Sequence, residues 1–393
     1  MTSSAPEQRP PQAIRMVDLF AGPGGIDVAA RWLGIPTVGV EWDNNACLTR
    51  DAARLGTRPG DVRAFHPTDF PDATILAGGP PCQTFTLAGT GKGRRALDKV
   101  LSFVRRMADG EDVQDDLASL DDERTGLVLE PLRWALEAKK CGTPYDAIML
   151  EQVPAVLPVW VAIGQALNEI GYEVATGVLN AEEYGVPQTR RRAILVARRD
   201  RAPALPRPTH KRFRKLDLAP DDLHGLLPYK TMGKVLQRGE EFTVISNYGS
   251  GGDPKARGRR GSHEPAFTVT GKISRNRLVT SYDVDLDRFD HSEAGILQTF
   301  PADYPWSGMD ISQQIGNAIP PRLAAHVLAA ATGNDLDPLL LDKYVDSSWN
   351  AFDQLPHLLA HGSSEGSNAN RSGTRATRRQ LHTRSAHRRL VAP

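Results

Sequence analysis

The cysteine in the segment AGGPPCQTF, residues 77–85, is the best candidate for a nucleophile in this sequence. Cys82 follows an apolar, strand-like run and two prolines that stiffen the backbone. We therefore expect its thiol at the carboxyl end of a strand, the edge where open α/β sheets bind ligands. The other cysteines, Cys47 and Cys141, fall within and at the end of predicted helices, where a cysteine is usually a small buried hydrophobe. With no CxxC pair and no histidine at ligand spacing, we predict neither a disulfide framework nor a metal site.

Two further motifs carry acid–base and anion-binding chemistry. Glu151 in IMLEQV ends another predicted strand, so we expect its carboxyl group at the same edge, partly desolvated and protonated near neutrality. In VPQTRRRAILV, Gln188 precedes Arg190 and Arg192, which strand alternation places on one face. Arginine forks suit carboxylates, phosphates and base edges, although an exposed surface run is an equally good interpretation.

A glycine-rich turn indicates a nucleotide-like cofactor. VDLFAGPGG, residues 17–25, runs from a strand into the start of a helix, where glycines let a ligand approach the backbone and free N–H groups face it. It is not a GxGxxG fingerprint, and a simple tight turn is the alternative. Glu41 ends the next strand, where an acid can hold ribose hydroxyls, and Trp42 could stack on a purine. Asp61 lies at the same edge of the predicted sheet.

The elements that position these residues alternate along the first half of the chain. From Ile14, apolar strand-like runs alternate with helix-length segments, which predicts βαβ units and a mostly parallel, Rossmann-like α/β sheet over residues 14–198. A long active-site loop is expected at about 83–125. Residues 199–309, rich in Pro, Gly and basic clusters, are predicted to form a smaller loop-rich module. A returning helix at 310–335 and an extension at 336–362 are expected next, with a flexible start at 1–13 and a disordered basic tail at 363–393.

Charge is distributed unevenly between these regions. The whole chain has 48 Lys and Arg against 47 Asp and Glu, but residues 199–285 have 17 against 10, and residues 371–393 have seven arginines and no acid. A basic module and a basic tail on an acidic body favour a protein that presents one face to nucleic acid. An unevenly charged solvated surface is the alternative. The sequence contains no apolar run of membrane-spanning length and begins with a polar segment, so we expect a cytoplasmic protein.

Taken together, the motifs resemble the conserved blocks of the DNA cytosine carbon-5 methyltransferase family. The blocks VDLFAGPGG, VEWD, GDV, GGPPCQTF, LEQV, QTRRR, EAGILQTFP and IGNAIP occur in the family's order, and their combination is highly specific. The resemblance implies an S-adenosylmethionine-dependent catalytic domain, a target-recognition domain between QTRRR and GNAIP, and a duplex DNA substrate. It also implies that the target cytosine is flipped out of the helix.

The resemblance assigns roles to twelve residues. The cofactor-binding residues would be Phe20, Gly22, Gly24, Glu41, Trp42, Asp61, Pro80 and Asn317. Glu41 would bind the ribose, Trp42 would lie against the adenine and Asp61 would bond its amino group. The catalytic residues would be Cys82, Glu151, Arg190 and Arg192. Cys82 would add to carbon 6, Glu151 would contact ring nitrogen 3, and the two arginines would orient the catalytic loop and the base.

Three features depart from the family's pattern. Gln152 replaces the usual Asn, Thr299 replaces the usual Gly, and the acidic run DGEDVQDD, residues 109–116, would repel phosphates unless it faces away from DNA. The loop after Cys82 is expected to close toward DERTGL, residues 122–127. Alternatives are a tRNA cytosine methyltransferase, a catalytically silent DNA-binding protein and, less favoured, a NAD-dependent dehydrogenase.

Further expectations concern partners. We expect a monomer, and a cognate restriction endonuclease is a further candidate partner. In the basic module, neutralising Arg259 and Arg260 is predicted to weaken DNA binding and its salt dependence.

Overall fold

The computed structural model describes residues 15–81, 91–118, 124–215, 225–249, 257–354 and 358; Cys82 and the predicted tail lie outside these ranges. The strands are β1 (Met16–Leu19), β2 (Thr37–Glu41), β3 (Thr57–Pro59), β4 (Ile75–Gly78), β5 (Ala147–Gln152), β6 (Glu173–Asn180), β7 (Arg191–Arg198), β8 (Thr243–Gly249), β9 (Arg257–Gly261), β10 (Arg277–Val279) and β11 (Asp285–Leu286). The helices are α1 (Gly25–Leu33), α2 (Asn44–Ala52), α3 (Gly91–Ala108), α4 (Gln114–Ala118), α5 (Arg124–Leu127), α6 (Glu130–Lys140), α7 (Leu157–Glu169), α8 (Met232–Leu236), α9 (His291–Leu297), α10 (Ile311–Asn317), α11 (Pro321–Thr332) and α12 (Pro338–Val345).

The first seven strands form one sheet in the order β3-β2-β1-β4-β5-β7-β6. Only β7 runs antiparallel to its neighbours β5 and β6. The carboxyl ends of β1, β2, β4 and β5 therefore meet the start of β7 at one edge. The predicted Rossmann-like α/β fold is confirmed, and the antiparallel β7 brings the QTRRR motif to the edge that carries the acidic residues.

Side-chain alternation gives this sheet two buried faces, as a parallel sheet covered by helices requires. Met16 and Ile75 belong to the core shared with α1 and α11. Val17 and Leu76 belong to the core shared with α3, α6 and α7. The predicted returning helix is α11, which packs against α1. No helix in the described ranges is long and apolar enough to cross a membrane.

The segment for which we predicted a long loop contains helices in its described part. Helix α3 has 18 residues and buries Val100, Phe103 and Val104, an i, i+3, i+4 pattern that its glycine-rich start obscured. Arg106 at its end donates to Glu111 and Asp116, both at 2.7 Å. Two carboxylates of the acidic run are thus held by the protein's own arginine.

A second, antiparallel sheet in the order β11-β10-β8-β9 lies within the basic module. It has a hydrophobic core of its own, which includes Met232, Phe242, Val244, Leu278 and Phe289. Much of the remaining module is irregular, as its proline and glycine content predicts.

Candidate active site and cofactor pocket

The turn between β1 and α1 has a backbone that glycine makes possible. Gly22 and Gly24 have φ of +54° and +104°, and Phe20 between β1 and the turn also has a positive φ of +60°. A Cβ on Gly24 would lie 2.3 Å from Leu55 Cδ1, whereas a Cβ on Gly22 would meet nothing within 4 Å. The turn is therefore closely packed on one side and open on the other, where a ligand can approach its backbone. A non-glycine residue in the left-handed region, such as Phe20, is typical of functional turns.

Glu41 at the end of β2 holds this turn through backbone N–H groups. Gly22 N–H donates to Oε2 at 2.7 Å, and the N–H groups of Trp42 and Asp43 donate to Oε1 at 2.9 and 2.8 Å. A carboxylate has about four acceptor positions. The free position is on Oε2, where one hydroxyl could still donate. Beside it the Trp42 side chain is 68% exposed, so its ring has an open apolar face.

The other predicted pocket residues have partners within the protein. The Asp61 carboxylate accepts hydrogen bonds from the side chain and backbone N–H of Arg63, and these bonds lower the pKa of Asp61. Asn317, exposed at the end of α10, accepts a bond from Gln313 at 2.7 Å. Pro80 lies two residues after the end of β4 and is buried.

Glu151 and Arg192 form an ion pair at the same edge. Arg192 Nε lies 2.5 Å from Glu151 Oε1, and both side chains are nearly buried. The second oxygen, Oε2, lies 3.5 Å from the Cβ position of Gly79. This oxygen therefore faces the segment that leads through two prolines to Cys82.

The two single-residue departures from the family's pattern, Gln152 and Thr299, have structural partners. Gln152 donates from Nε2 to the Pro80 carbonyl at 2.5 Å and accepts from Val153 N–H at 2.5 Å, so its amide ties β5 to the segment before Cys82. Thr299 is buried with φ of +65°, a backbone conformation that favours glycine. Its hydroxyl accepts from Arg322 N–H at 3.1 Å.

The arginines of QTRRR have different partners. Arg190 is fully buried and donates to the carbonyls of Val269, Gly316 and Ala318 at 2.9 to 3.0 Å. Burial and the neighbouring charge of Arg192 lower the pKa of Arg190. Arg190 thus connects the sheet edge to the basic module and to the GNAIP segment, whereas Arg192 pairs with the predicted acid. The role of Arg192 in orienting the base remains a prediction.

Arg260 differs from the expectation for a DNA-contacting residue. Its guanidinium lies 4.9 Å from the ring centroid of Phe213 and 4.4 Å from that of Phe267, and donates to Thr189 Oγ1 at 2.9 Å. The Arg260 guanidinium thus packs against two aromatic rings inside the module. Arg259 is half exposed and pairs with Asp283 at 2.7 Å. Of the two arginines, Arg259 and Arg260, only Arg259 has a half-exposed guanidinium.

Sequence reasoning missed a buried polar cluster beneath the glycine turn. Arg50 of α2 is completely buried and pairs with Asp27 of α1. Asp18 in β1 is also buried, and burial together with the neighbouring carboxyl group of Asp27 raises its pKa well above the usual value. The available signal was a charged residue inside an apolar strand and an aspartate in the first turn of an apolar helix.

A separate cavity of about 600 Å³ lies between the basic module and α12. Its lining includes His210, Lys230 and Asp342, and none of the eleven predicted site residues that the structure describes lines it. The predicted site is the open sheet edge instead.

Comparisons with known proteins agree with this fold and identify the family. The family model described as C-5 cytosine-specific DNA methylase matches residues 14–104 and 117–248. The type II methyltransferase M1.HphI of Haemophilus parahaemolyticus is 27% identical over 81% of this chain and 86% of its own length. M.AquIA of Picosynechococcus is 32% identical over 56% of this chain and 86% of its own length. The structure of Spodoptera frugiperda DNMT2 has a TM-score of 0.53 at 14% identity and covers 81% of this chain and 99% of that one, which supports the fold. The chain therefore belongs to the family of C-5 cytosine-specific DNA methylases and is a DNA cytosine-5 methyltransferase.

Proposed function

We propose that this enzyme transfers a methyl group from S-adenosylmethionine to carbon 5 of a cytosine flipped out of duplex DNA, through a covalent adduct between Cys82 and carbon 6. The observation that carries the proposal is the meeting of three groups at one sheet edge. They are the Glu41-held turn, the segment leading into Cys82, and the ion pair of Glu151 with Arg192.

The turn and its surroundings support S-adenosylmethionine as the cofactor. The open side of Gly22 lets a ligand approach the backbone, and the remaining acceptor position of Glu41 fits a ribose hydroxyl. The exposed ring of Trp42 offers a face for adenine. We assign the rest of the pocket to Phe20, Gly24, Asp61, Pro80 and Asn317. When bound, the cofactor supplies an electrophilic methyl group.

The residues of the edge fit the chemistry that cytosine requires. Carbon 5 of cytosine is a poor nucleophile, and addition of the Cys82 thiolate at carbon 6 shifts electrons toward carbon 5 and ring nitrogen 3. Glu151, once protonated on Oε2, donates this proton to nitrogen 3, which prevents negative charge from building up there, and takes the proton back when the thiolate leaves. The activated carbon 5 could then take the methyl group that bound S-adenosylmethionine would supply. A water-mediated base removes the proton from carbon 5, and the thiolate leaves.

We assign different tasks to the two arginines. Arg192 holds Oε1 of Glu151, which leaves Oε2 facing the segment before Cys82, and this oxygen is the one we assign to the cytosine ring. Arg190 positions the polypeptide around the base, because its three carbonyl partners belong to the basic module and the GNAIP segment.

The basic module, residues 199–309, is the proposed target-recognition domain. Its separate sheet and its exposed cations support this role. The type II names of the relatives support a place in restriction–modification, with a cognate endonuclease as a candidate partner. We further propose a cytoplasmic monomer whose basic tail, residues 363–393, tethers DNA non-specifically.

The adduct is tested with duplex DNA in which the target cytosine carries fluorine at carbon 5. A base can remove the proton from carbon 5 but cannot remove fluorine, so the thiolate is not released. Cys82 should therefore remain bonded to the DNA in a denaturant-stable complex. Cys82→Ala should form no complex and transfer no methyl group while it still binds the cofactor. Cys47→Ala and Cys141→Ala are matched controls; burial and nearby Glu41 raise the pKa of Cys47, which disfavours its thiolate. Methylation by Cys82→Ala would overturn the mechanism.

The target is identified by bisulfite sequencing of DNA from a host that expresses the enzyme. A competition assay with labelled cofactor, duplex DNA and tRNA tests the substrate class. Preferential methylation of tRNA would contradict the DNA assignment.

A further inference from the structure

We propose that Arg50 is a positioning residue for the cofactor: its buried guanidinium, held by Asp27, fixes the glycine turn from the side opposite to the ligand. This inference rests on the cofactor site proposed above. It adds a residue outside the motifs that carry the family resemblance.

The guanidinium of Arg50 uses all its donors within the fold. Nε donates to Thr57 Oγ1 at 3.0 Å, and Nη1 and Nη2 donate to the two oxygens of Asp27 at 2.8 Å. Nη2 also donates to Gly56 O at 2.8 Å, and Nη1 reaches Gly22 O at 3.5 Å. An arginine has five such N–H groups in a fixed planar fork. One side chain therefore links α1, β3 and the turn in a single geometry.

The surrounding backbone leaves room for this side chain and little else. A Cβ on Gly39 of β2 would lie 2.1 Å from Arg50 Nη2, and a Cβ on Gly24 would lie 3.7 Å from Arg50 Nη1. The guanidinium therefore lies between the strand and the turn, in a space that Gly39 keeps open. On the same inner side, Tyr304 Oη donates to Pro23 O at 2.5 Å.

The turn is thus held by two sets of bonds with different partners. Glu41 accepts the Gly22 N–H on the ligand side, while Arg50 and Tyr304 donate to the carbonyls of Gly22 and Pro23 from the inner side. Burial alone would lower the pKa of Arg50, but the charge and hydrogen bonds of Asp27, together with nearby Asp18 and Tyr304, outweigh burial and raise the pKa, so the cation is retained. Lysine keeps the charge but cannot bridge Asp27, Thr57 and Gly56 with one planar group.

The test compares Arg50→Lys with a matched control, Arg322→Lys. Arg322 is equally buried and pairs with Asp342, but it donates to Tyr184 O at 2.5 Å and has no contact with the turn. Cofactor dissociation constants are measured by calorimetry with S-adenosylmethionine and with S-adenosylhomocysteine. We expect Arg50→Lys to raise both about tenfold, the effect of losing one hydrogen bond to a charged group. The DNA dissociation constant should change less than about twofold, as should all constants of Arg322→Lys.

Two further variants cover the case in which Arg50→Lys does not fold. Thr57→Val removes a single bond to Nε and should raise the cofactor constants by about twofold to threefold. Gly39→Ala displaces the guanidinium, and its effect should not add to that of Arg50→Lys. Unchanged cofactor binding in folded Arg50 and Thr57 variants, or equal losses in Arg322→Lys, would overturn the inference. Failure of the wild-type enzyme to bind either cofactor form would instead overturn the proposed cofactor site.

Discussion

Replacing His326 should make the enzyme more resistant to acid. His326 lies in α11, its ring centroid is 5.2 Å from that of Tyr184, and its buried Nε2 has no hydrogen-bond partner among the described residues. Burial and the nearby charge of Arg322 lower its pKa from 6.5 to about 3. Methionine is a suitable replacement, because its flexible apolar chain fills irregular core space without a titratable group.

The sign and size of the effect follow from proton linkage. A neutral histidine contributes its full stability above the unfolded-state pKa of 6.5, and this stability is lost as the pH falls toward the folded-state value of about 3. At pH 5 the loss is about 2 kcal/mol, from about 1.5 pH units at about 1.36 kcal/mol each. The same reasoning applies to His210, whose pKa burial lowers to about 4.

The assay is urea unfolding at pH 7.5 and pH 5. His326→Met should lose about 2 kcal/mol less free energy of unfolding between these pH values than the wild-type enzyme. Other groups titrate in both proteins and cancel in this difference. His263→Gln, at an exposed position, is the control and should lose as much as the wild type. Equal losses in His326→Met and the wild type would refute a buried, neutral His326.

Three further changes test the site and the basic module. Gln152→Ala removes the bond to the Pro80 carbonyl and should lower kcat at saturating cofactor and DNA; an unchanged kcat would contradict the role of this amide. Arg259→Ala should reduce the slope of log affinity against log salt by less than one, because Asp283 already pairs with its guanidinium, whereas Arg260→Ala should lower the melting temperature and leave the slope unchanged. Equal slopes in these two variants would refute the distinction. Glu41→Gln should raise the cofactor dissociation constant about tenfold in equilibrium dialysis, because a neutral amide oxygen accepts the turn's N–H more weakly; unchanged binding would argue against the acceptor role.

The sheet edge could be predicted from sequence because it depends on strand ends alone. Glu41 and Glu151 follow apolar runs, and a parallel sheet places the carboxyl ends of its strands at one edge whatever the details of packing. The roles of Arg190 and Arg192 could not be separated in this way. Alternation predicts faces only within a strand, and β7 begins at Arg191, so Arg190 lies before it. Its carbonyl partners are about 80 to 130 positions away, a separation that no local pattern encodes.

The glycine turn shows a second limit of prediction from sequence. Its glycines indicate a ligand site because positive φ and close approach are local requirements. Arg50 and its partner Asp27 give no comparable indication of a ligand site: Asp27 is only a charge within an apolar helix, and a charged residue on a short helix is usually exposed. Their burial becomes evident only when α1, α2 and β3 are assembled around the turn.

The net charge of the basic module also overestimates how many of its cations are free to contact DNA. Arg238 and Arg277 pair with acids of the module, and Arg260 packs between aromatic rings. Within the described residues, Lys272 and Arg275 are exposed and form no ion pair. Lys272 precedes a short helical turn and Arg275 is its last residue; Gly271 before it packs against α10, the helix that ends at the predicted cofactor residue Asn317. Lys272 and Arg275 are therefore unneutralised cations close to α10, and affinity for DNA should depend on such residues more than on the module's total charge.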